Sequence, residues 1–304
     1  MTHPAHYEFV DPSFRDLTGP DAPLVKIFDQ CIWSEGPVWF ADGGYLLWSD
    51  IPNNRMLRFV PDHGVSTFRS PSNFINGNTR DLQGRLVSCS HGARAVLRTE
   101  YDGTITTLAD RYDGKRLNSP NDVVVKSDGT IWFTDPSYGI DSNHEGYKSD
   151  SEQTGCHVYR FDPADGSLVI VADDFEKPNG LAFSPDESTL YVSDTGRTHR
   201  PGYPAHIRMF DLAADNTLAN PRVFIDADSG LPDGFRLDTM GNIWTSAGPN
   251  VNVYNPAGAL LGRIILGTST SNVTFGGPNR SRLFITSSQF VYSLDVAATG
   301  LQRP

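Results

Sequence analysis

The chain has 304 residues, a net charge of -11, a pI near 5.1, 38% apolar residues and 28 glycines. Such a composition is that of a turn-rich globular protein able to bury a large core, and its acidity argues against phosphate-backbone binding, which needs clustered Lys and Arg. No run approaches the roughly 18 apolar residues of a membrane span, so neither nucleic acid nor membrane is an expected partner.

In chain order, MTHPAHYEFV lacks the charged start and apolar run of a secretory signal. The expected compartment is therefore cytoplasmic, or periplasmic if a signal segment precedes this sequence. Cys31, Cys89 and Cys156 are odd in number and widely spaced, which suits free thiols in a reducing compartment better than a disulfide scaffold. Residues 1–23 read as an N-terminal extension, and LVKIF at 24–28 as a strand with no hairpin partner nearby.

From there a repeat begins. PVWF at 37–40 turns at ADGG and returns as YLLWSD; DVVVK at 122–126 turns at KSDGT and returns as TIWFTD; GLAFS at 180–184 turns at SPDES and returns as TLYVSD. RLVSCS, NIWTSA and RLFITS complete a set of six return strands, ending at Asp50, Ser90, Asp135, Asp194, Ala247 and Ser287. Counting back 14 or 15 positions from each lands on Glu35, Asn76, Asn121, Asn179, Asp233 and Asn272. Pairs of outer strands follow, such as MLRFV with VSTFR, AVLRTE with TITTLA, and VNVYN with LLGRIIL.

Successive return strands lie 40, 45, 59, 53 and 40 residues apart, by the positions just given. One small sheet cannot bury both its faces and must stack on neighbours, so this period predicts an all-β, six-bladed β-propeller with four-stranded blades. The repeats run without a linker, giving a single domain over 1–304. After RLFITS only FVYSLD and a short tail remain. The strand at 24–28 is thus expected to complete the C-terminal blade and close the ring, removing exposed edges.

Hairpin geometry brings the end of each return strand beside the start of the first strand. The six oxygen-bearing residues should therefore share one mouth, two carboxylates and four amides with a formal charge of -2. Any one Asn-Gly or Asp-Gly pair is ordinarily a tight turn; six in one register suggest a hard divalent cation. Calcium accepts mixed carboxylate and amide oxygens at about 2.3–2.6 Å, whereas magnesium keeps its waters and zinc favours His and Cys.

Segments SEGPVW at 34–39, NGNTRDLQGRLVSCSHGARAVLR at 76–98, SPNDVVVKSDGTIWFTDPSYG at 119–139, KPNGLAFSPDESTLYVSDT at 177–195, LPDGFRLDTMGNIW at 231–244 and VTFGGP at 273–278 resemble one family. It is the senescence marker protein-30, gluconolactonase and luciferin-regenerating enzyme group of six-bladed propellers, with the SHG segment at 90–92 pointing to its microbial gluconolactonases. The resemblance implies calcium held by Glu35, Asn121, Asn179 and Asp233, with Asn76 and Asn272 left for substrate or supporting contacts. Animal members carry an Arg where this chain has Ser119, so their sugar-contacting guanidinium has no counterpart.

The chemistry so implied is hydrolysis of a sugar lactone such as glucono-1,5-lactone to the aldonic acid. A cation would polarise the carbonyl and stabilise the oxyanion, with Asp233 as ligand and general base. His91, one residue past a return strand, competes for the base role, or merely orients substrate. Loops 136–156 and 195–205 should rim the mouth, offering Ser137, Tyr138, Arg197, His199 and Tyr203 to a polyol; Asn76, His91, Asn121 and Asn272 are the other candidate substrate contacts. Two alternatives remain: phosphotriester hydrolysis at the same ion, and a non-catalytic calcium-binding propeller. No G-x-S-x-G elbow or Gly-rich phosphate motif occurs.

Overall fold

A computed structural model describes residues 2–19, 21–227 and 230–301. Six antiparallel sheets stand in a ring, a six-bladed β-propeller. In four of them chain order equals strand order from inside to outside. Blade 1 comprises Ser34–Phe40, Tyr45–Asp50, Arg55–Val60 and Gly64–Arg69; blade 2 comprises Ile75–Arg80, Leu86–Ser90, Ala95–Thr99 and Ile105–Ala109. Blade 3 is built from Val123–Val125, Ile131–Asp135, Cys156–Phe161 and Leu168–Phe175, and blade 4 from Pro178–Phe183, Thr189–Asp194, His206–Leu212 and Leu218–Asp226.

Blades 5 and 6 borrow from the N-terminus. Blade 5 (Phe235–Leu237, Ile243–Ala247, Asn250–Tyr254, Leu260–Ile265) gains His6–Phe9 as a fifth, outermost strand. Blade 6 (Thr270–Gly276, Arg282–Ser287, Phe290–Asp295) takes Pro23–Phe28 as its fourth strand, as expected for the closing strand, and Thr2–Pro4 as a fifth. Residues 1–23 are thus more than the extension read from sequence. Their strands cover the edges of two blades, and Phe14 between them is buried against Trp244, Val251 and Leu261.

The apolar core is divided into six wedges, one between each pair of adjacent blades. Val38, Leu47 and Met56 meet Ile75 and Leu86 between blades 1 and 2; Trp132 and Val158 meet Leu181, Phe183 and Leu190 between blades 3 and 4. Trp244 and Val251 meet Val273, Phe275 and Ile285 between blades 5 and 6, and Trp39, Trp48 and Phe284 lock blade 6 to blade 1. A second strand is covered by neighbouring blades on both faces, which explains why YLLW, IWF and LYV are continuous apolar runs instead of alternating ones.

Two loop systems interrupt the repeat on the site side. Residues 136–155 carry a single helical turn, Tyr138–Asp141, and 195–205 carry the 3-10 turn Gly196–Thr198. All three cysteines are free, Cys31 and Cys89 being buried. No helix among the described residues is long and apolar enough to cross a membrane.

Candidate active site at the propeller mouth

Five of the six return strands tie down the segment before the candidate site residue of their own blade through their last side chain. Asp50 Oδ1 accepts from the N–H of Ile32 at 2.9 Å, Asp135 Oδ2 from that of Asn118 at 2.8 Å, and Asp194 Oδ2 from that of Glu176 at 2.9 Å. Each donor lies three residues before Glu35, Asn121 or Asn179. Ser90 and Ser287 reverse the polarity, donating to the carbonyls of Asn73 (2.6 Å) and Ser269 (3.2 Å), three residues before Asn76 and Asn272. Ala247 can do neither. Its carbonyl instead packs against Gly230, where an added Cβ would lie 2.7 Å from that oxygen.

In blades 1, 3 and 4 the residue before that terminal side chain ties the blade to the next one. Ser49, Thr134 and Ser193 donate to the carbonyls of Asn76, Asn179 and Asp233 at 2.7, 2.7 and 2.8 Å. Glycine after the site residue permits the close approach. A Cβ on Gly36, whose φ is +54°, would lie 2.1 Å from the Asn76 carbonyl oxygen, and one on Gly234 would lie 2.0 Å from the Asn272 amide carbon. Blade 3 has Asp122 at that position, buried with Oδ2 3.5 Å from Arg236 Nη1.

This framework brings Glu35, Asn76, Asn121, Asn179 and Asp233 to one cavity of about 300 Å³, which Tyr138 also lines. Asn272 lies behind it: Nδ2 donates to Glu35 Oε2 at 3.1 Å while Oδ1 accepts from the Val273 N–H. Sequence reading offered Asn272 to substrate, whereas its Nδ2 is engaged by Glu35 and its Oδ1 by the backbone. Ser137 also lies off the cavity, its hydroxyl accepting from Lys177 Nζ. Arg197, His199 and Tyr203 are likewise not among the lining residues; His199 Nε2 sits 3.4 Å from Asp141. Ser119, the position of the missing Arg, is wholly buried and bridges Pro136 O (2.6 Å) and Gly139 N (2.9 Å).

His91 is 1% exposed and stands outside the cavity. Its Nδ1 lies 2.9 Å from the Glu145 carbonyl, which can only accept, so Nδ1 carries the proton. Nε2 is then an acceptor for Asn76 Nδ2 at 3.3 Å. Burial lowers the imidazole pKa, favouring the neutral ring. The Asn76 Oδ1 that this arrangement leaves is buried without a partner.

Electrostatically the floor is an acid pair. Burial, and secondarily the nearby Asp122 charge, pushes the Glu35 carboxyl up to about 7 against the hydrogen bonds from Gly36 and Asn272. Burial and then the Glu35 charge raise Asp233 well above the usual carboxylate range. Among the described residues no three His, Cys, Asp or Glu side chains gather at one point, so amide oxygens must complete any cation site here. Two desolvated carboxylates beside an orphaned amide oxygen form an all-oxygen donor set that fits calcium and offers nothing that zinc prefers.

Sequence reasoning missed Trp33, Glu145, Thr195, Thr198, Leu231 and Thr270 in the cavity wall. All but Thr270, the first residue of an inner strand of blade 6, lie outside the strands, where no repeat fixes a register. Tyr138 Oη pairs with Thr195 Oγ1 at 2.6 Å, a link between the two long loops.

Residues 33–289 match the SMP-30/Gluconolactonase/LRE-like region. The chain belongs to that family. It is 34% identical to a gluconolactonase of Zymomonas mobilis over 92% of this chain and 83% of that protein. A 6-deoxy-6-sulfogluconolactonase of Pseudomonas putida is 30% identical over 85% of this chain and 84% of that one. Among solved structures, a gluconolactonase from Xanthomonas campestris superposes with a TM-score of 0.90 at 40% identity, covering 97% of both chains.

Proposed function

We propose that this family member hydrolyses sugar lactones such as glucono-1,5-lactone to the aldonic acid, with a calcium ion at the mouth of the propeller. Lactone hydrolysis, and with it membership of the carboxylic ester hydrolases, is supported by relatives named as gluconolactonases across nearly the whole chain. The observation that carries the metal reading is the acid pair of buried Glu35 and half-buried Asp233, facing one cavity together with Asn121 and Asn179. These four residues would hold the ion, which would polarise the lactone carbonyl as a Lewis acid.

The chain's own residues supply the rest. Water attacks the carbonyl carbon, the ring C–O bond breaks, and the water proton ends on the ring oxygen that leaves as a hydroxyl. Asp233, which lines the cavity together with Glu35, is placed to take and return that proton. His91, with both nitrogens engaged, acts as a positioning residue that turns Asn76 Oδ1 into the cavity. Thr195, Thr198 and Tyr138 offer hydroxyls to the sugar ring.

A pH-stat assay comparing glucono-1,5-lactone with a phosphotriester tests this reading. The lactone should be the preferred substrate by kcat/KM, and Asp233→Asn should remove its turnover. Preference for the phosphotriester, or no turnover of either with Asp233→Asn altering only the melting temperature, would contradict it.

A further inference from the structure

The charge of the cavity wall is one-sided. Three carboxylates line it, those of Glu35, Asp233 and Glu145, and no Lys, Arg or His is among the described lining residues. A divalent cation held at the mouth would balance the first two. Glu145 is different in kind: it comes from the loop 136–155, outside the repeat register, and its side chain is 28% exposed. Its Oε2 lies 3.9 Å from His91 Nδ1. Lys177 is drawn off to Asp141 Oδ2 at 2.9 Å and to Ser137.

The loop is held firmly enough to aim that charge. His91 Nδ1 donates to the Glu145 main-chain carbonyl, and Gly146 packs so closely on Gly139 that a Cβ would lie 2.0 Å from its carbonyl oxygen. Ser149 N donates to Ile140 O at 3.1 Å, and Arg94 Nη1 to Ser149 Oγ at 3.0 Å.

We propose that Glu145 is a specificity-determining residue that confines turnover to uncharged polyhydroxy lactones and rejects lactones bearing a phosphate, sulfonate or carboxylate on the exocyclic carbon. This rests on the lactonase reading above. In a partly closed, low-dielectric pocket a like charge within several ångströms disfavours an anion by a factor of ten or more, roughly, and the effect weakens as salt screens it. The same charge would help expel the aldonate product, an anion formed from a neutral substrate.

The test is the ratio of kcat/KM for glucono-1,5-lactone over its 6-phosphate, measured in wild type, Glu145→Gln and Glu145→Lys. The His91 hydrogen bond goes to the main chain, so both replacements leave it in place. The ratio should fall about tenfold in Glu145→Gln and further in Glu145→Lys, and the wild-type ratio should shrink as salt rises. Calorimetric titration of 1,5-anhydroglucitol and its 6-phosphate into the same three proteins reads the discrimination without turnover. Wild type that hydrolyses neither lactone would overturn the reaction assigned to the site; a neutral-to-anionic ratio unmoved by both replacements, in turnover and in binding, would overturn the role of Glu145.

Discussion

Replacing Asp194 separates the architecture that builds the site from the chemistry performed in it. The side chain is 1% exposed and accepts three backbone N–H groups: Glu176 on Oδ2 at 2.9 Å, and Lys177 and Gly196 on Oδ1 at 3.0 Å each. Asp194→Ala strands all three. A buried donor without a partner costs about 1–3 kcal/mol, less where water can enter. Glu176 lies at the surface and Gly196 does not, so a loss of about 3 kcal/mol follows. For a chain of 304 residues that is roughly a 5 °C drop in Tm. Asp194→Asn keeps one oxygen and should lose about a third as much. Because the freed segment ends two residues before Asn179, calcium affinity should fall at least tenfold in the Ala variant. Differential scanning calorimetry with and without calcium, paired with a calcium titration, measures both effects. A Tm change under 2 °C, or equal damage from Asn and Ala, would refute the reasoning.

Further outcomes follow from the same geometry. Gly234→Ala pushes a Cβ to within 2.0 Å of the Asn272 amide, and should yield a protein that loses soluble expression or melts several degrees lower with no calcium bound, checked by thermal melts and titration. His91→Gln should lower lactone kcat/KM about tenfold yet keep the shape of the acidic limb of the pH-rate profile; loss of that limb would make His91 the base. Asp135 carries a carboxyl pushed up to about 7 by burial. The folded state therefore holds a proton that the unfolded chain releases near pH ~4, so stability falls as pH rises from about 4 to about 7 and is flat above. The full effect is about 4 kcal/mol. Urea melts of chelator-treated protein should show Asp135→Asn losing that part of the slope, and an unchanged slope would contradict the assignment.

The blades and the mouth were legible because the return strands are buried on both faces and end on side chains with a structural task. Asp50, Asp135 and Asp194 set the register in the sequence because each binds the loop that presents the site residue of its own blade. The outer strands of the N-terminus were not legible: Thr2–Pro4 contains a proline and His6–Phe9 spans four residues, too little for a periodic signal, although Tyr7 and Phe9 do alternate with more exposed neighbours. Register brings Asn272 beside Glu35 and His91 beside Asn76 but could not say which way they face. The bare α-carbon of Gly234 lets the Asn272 amide turn to Glu35, and the 136–155 loop covers His91 from above. Glu145 carries no repeat signal at all, since it lies in that loop, and only the folded chain brings its carboxylate to the cavity.

Calcium titrated calorimetrically into chelator-stripped protein, with the Asp233→Asn and Glu35→Gln variants alongside, bears most directly on the central claim. The expected result is one bound ion per chain in wild type, lost in both variants, with lactone turnover returning in step with occupancy. Stripped protein that takes up no divalent cation while hydrolysing lactone at full rate would contradict it.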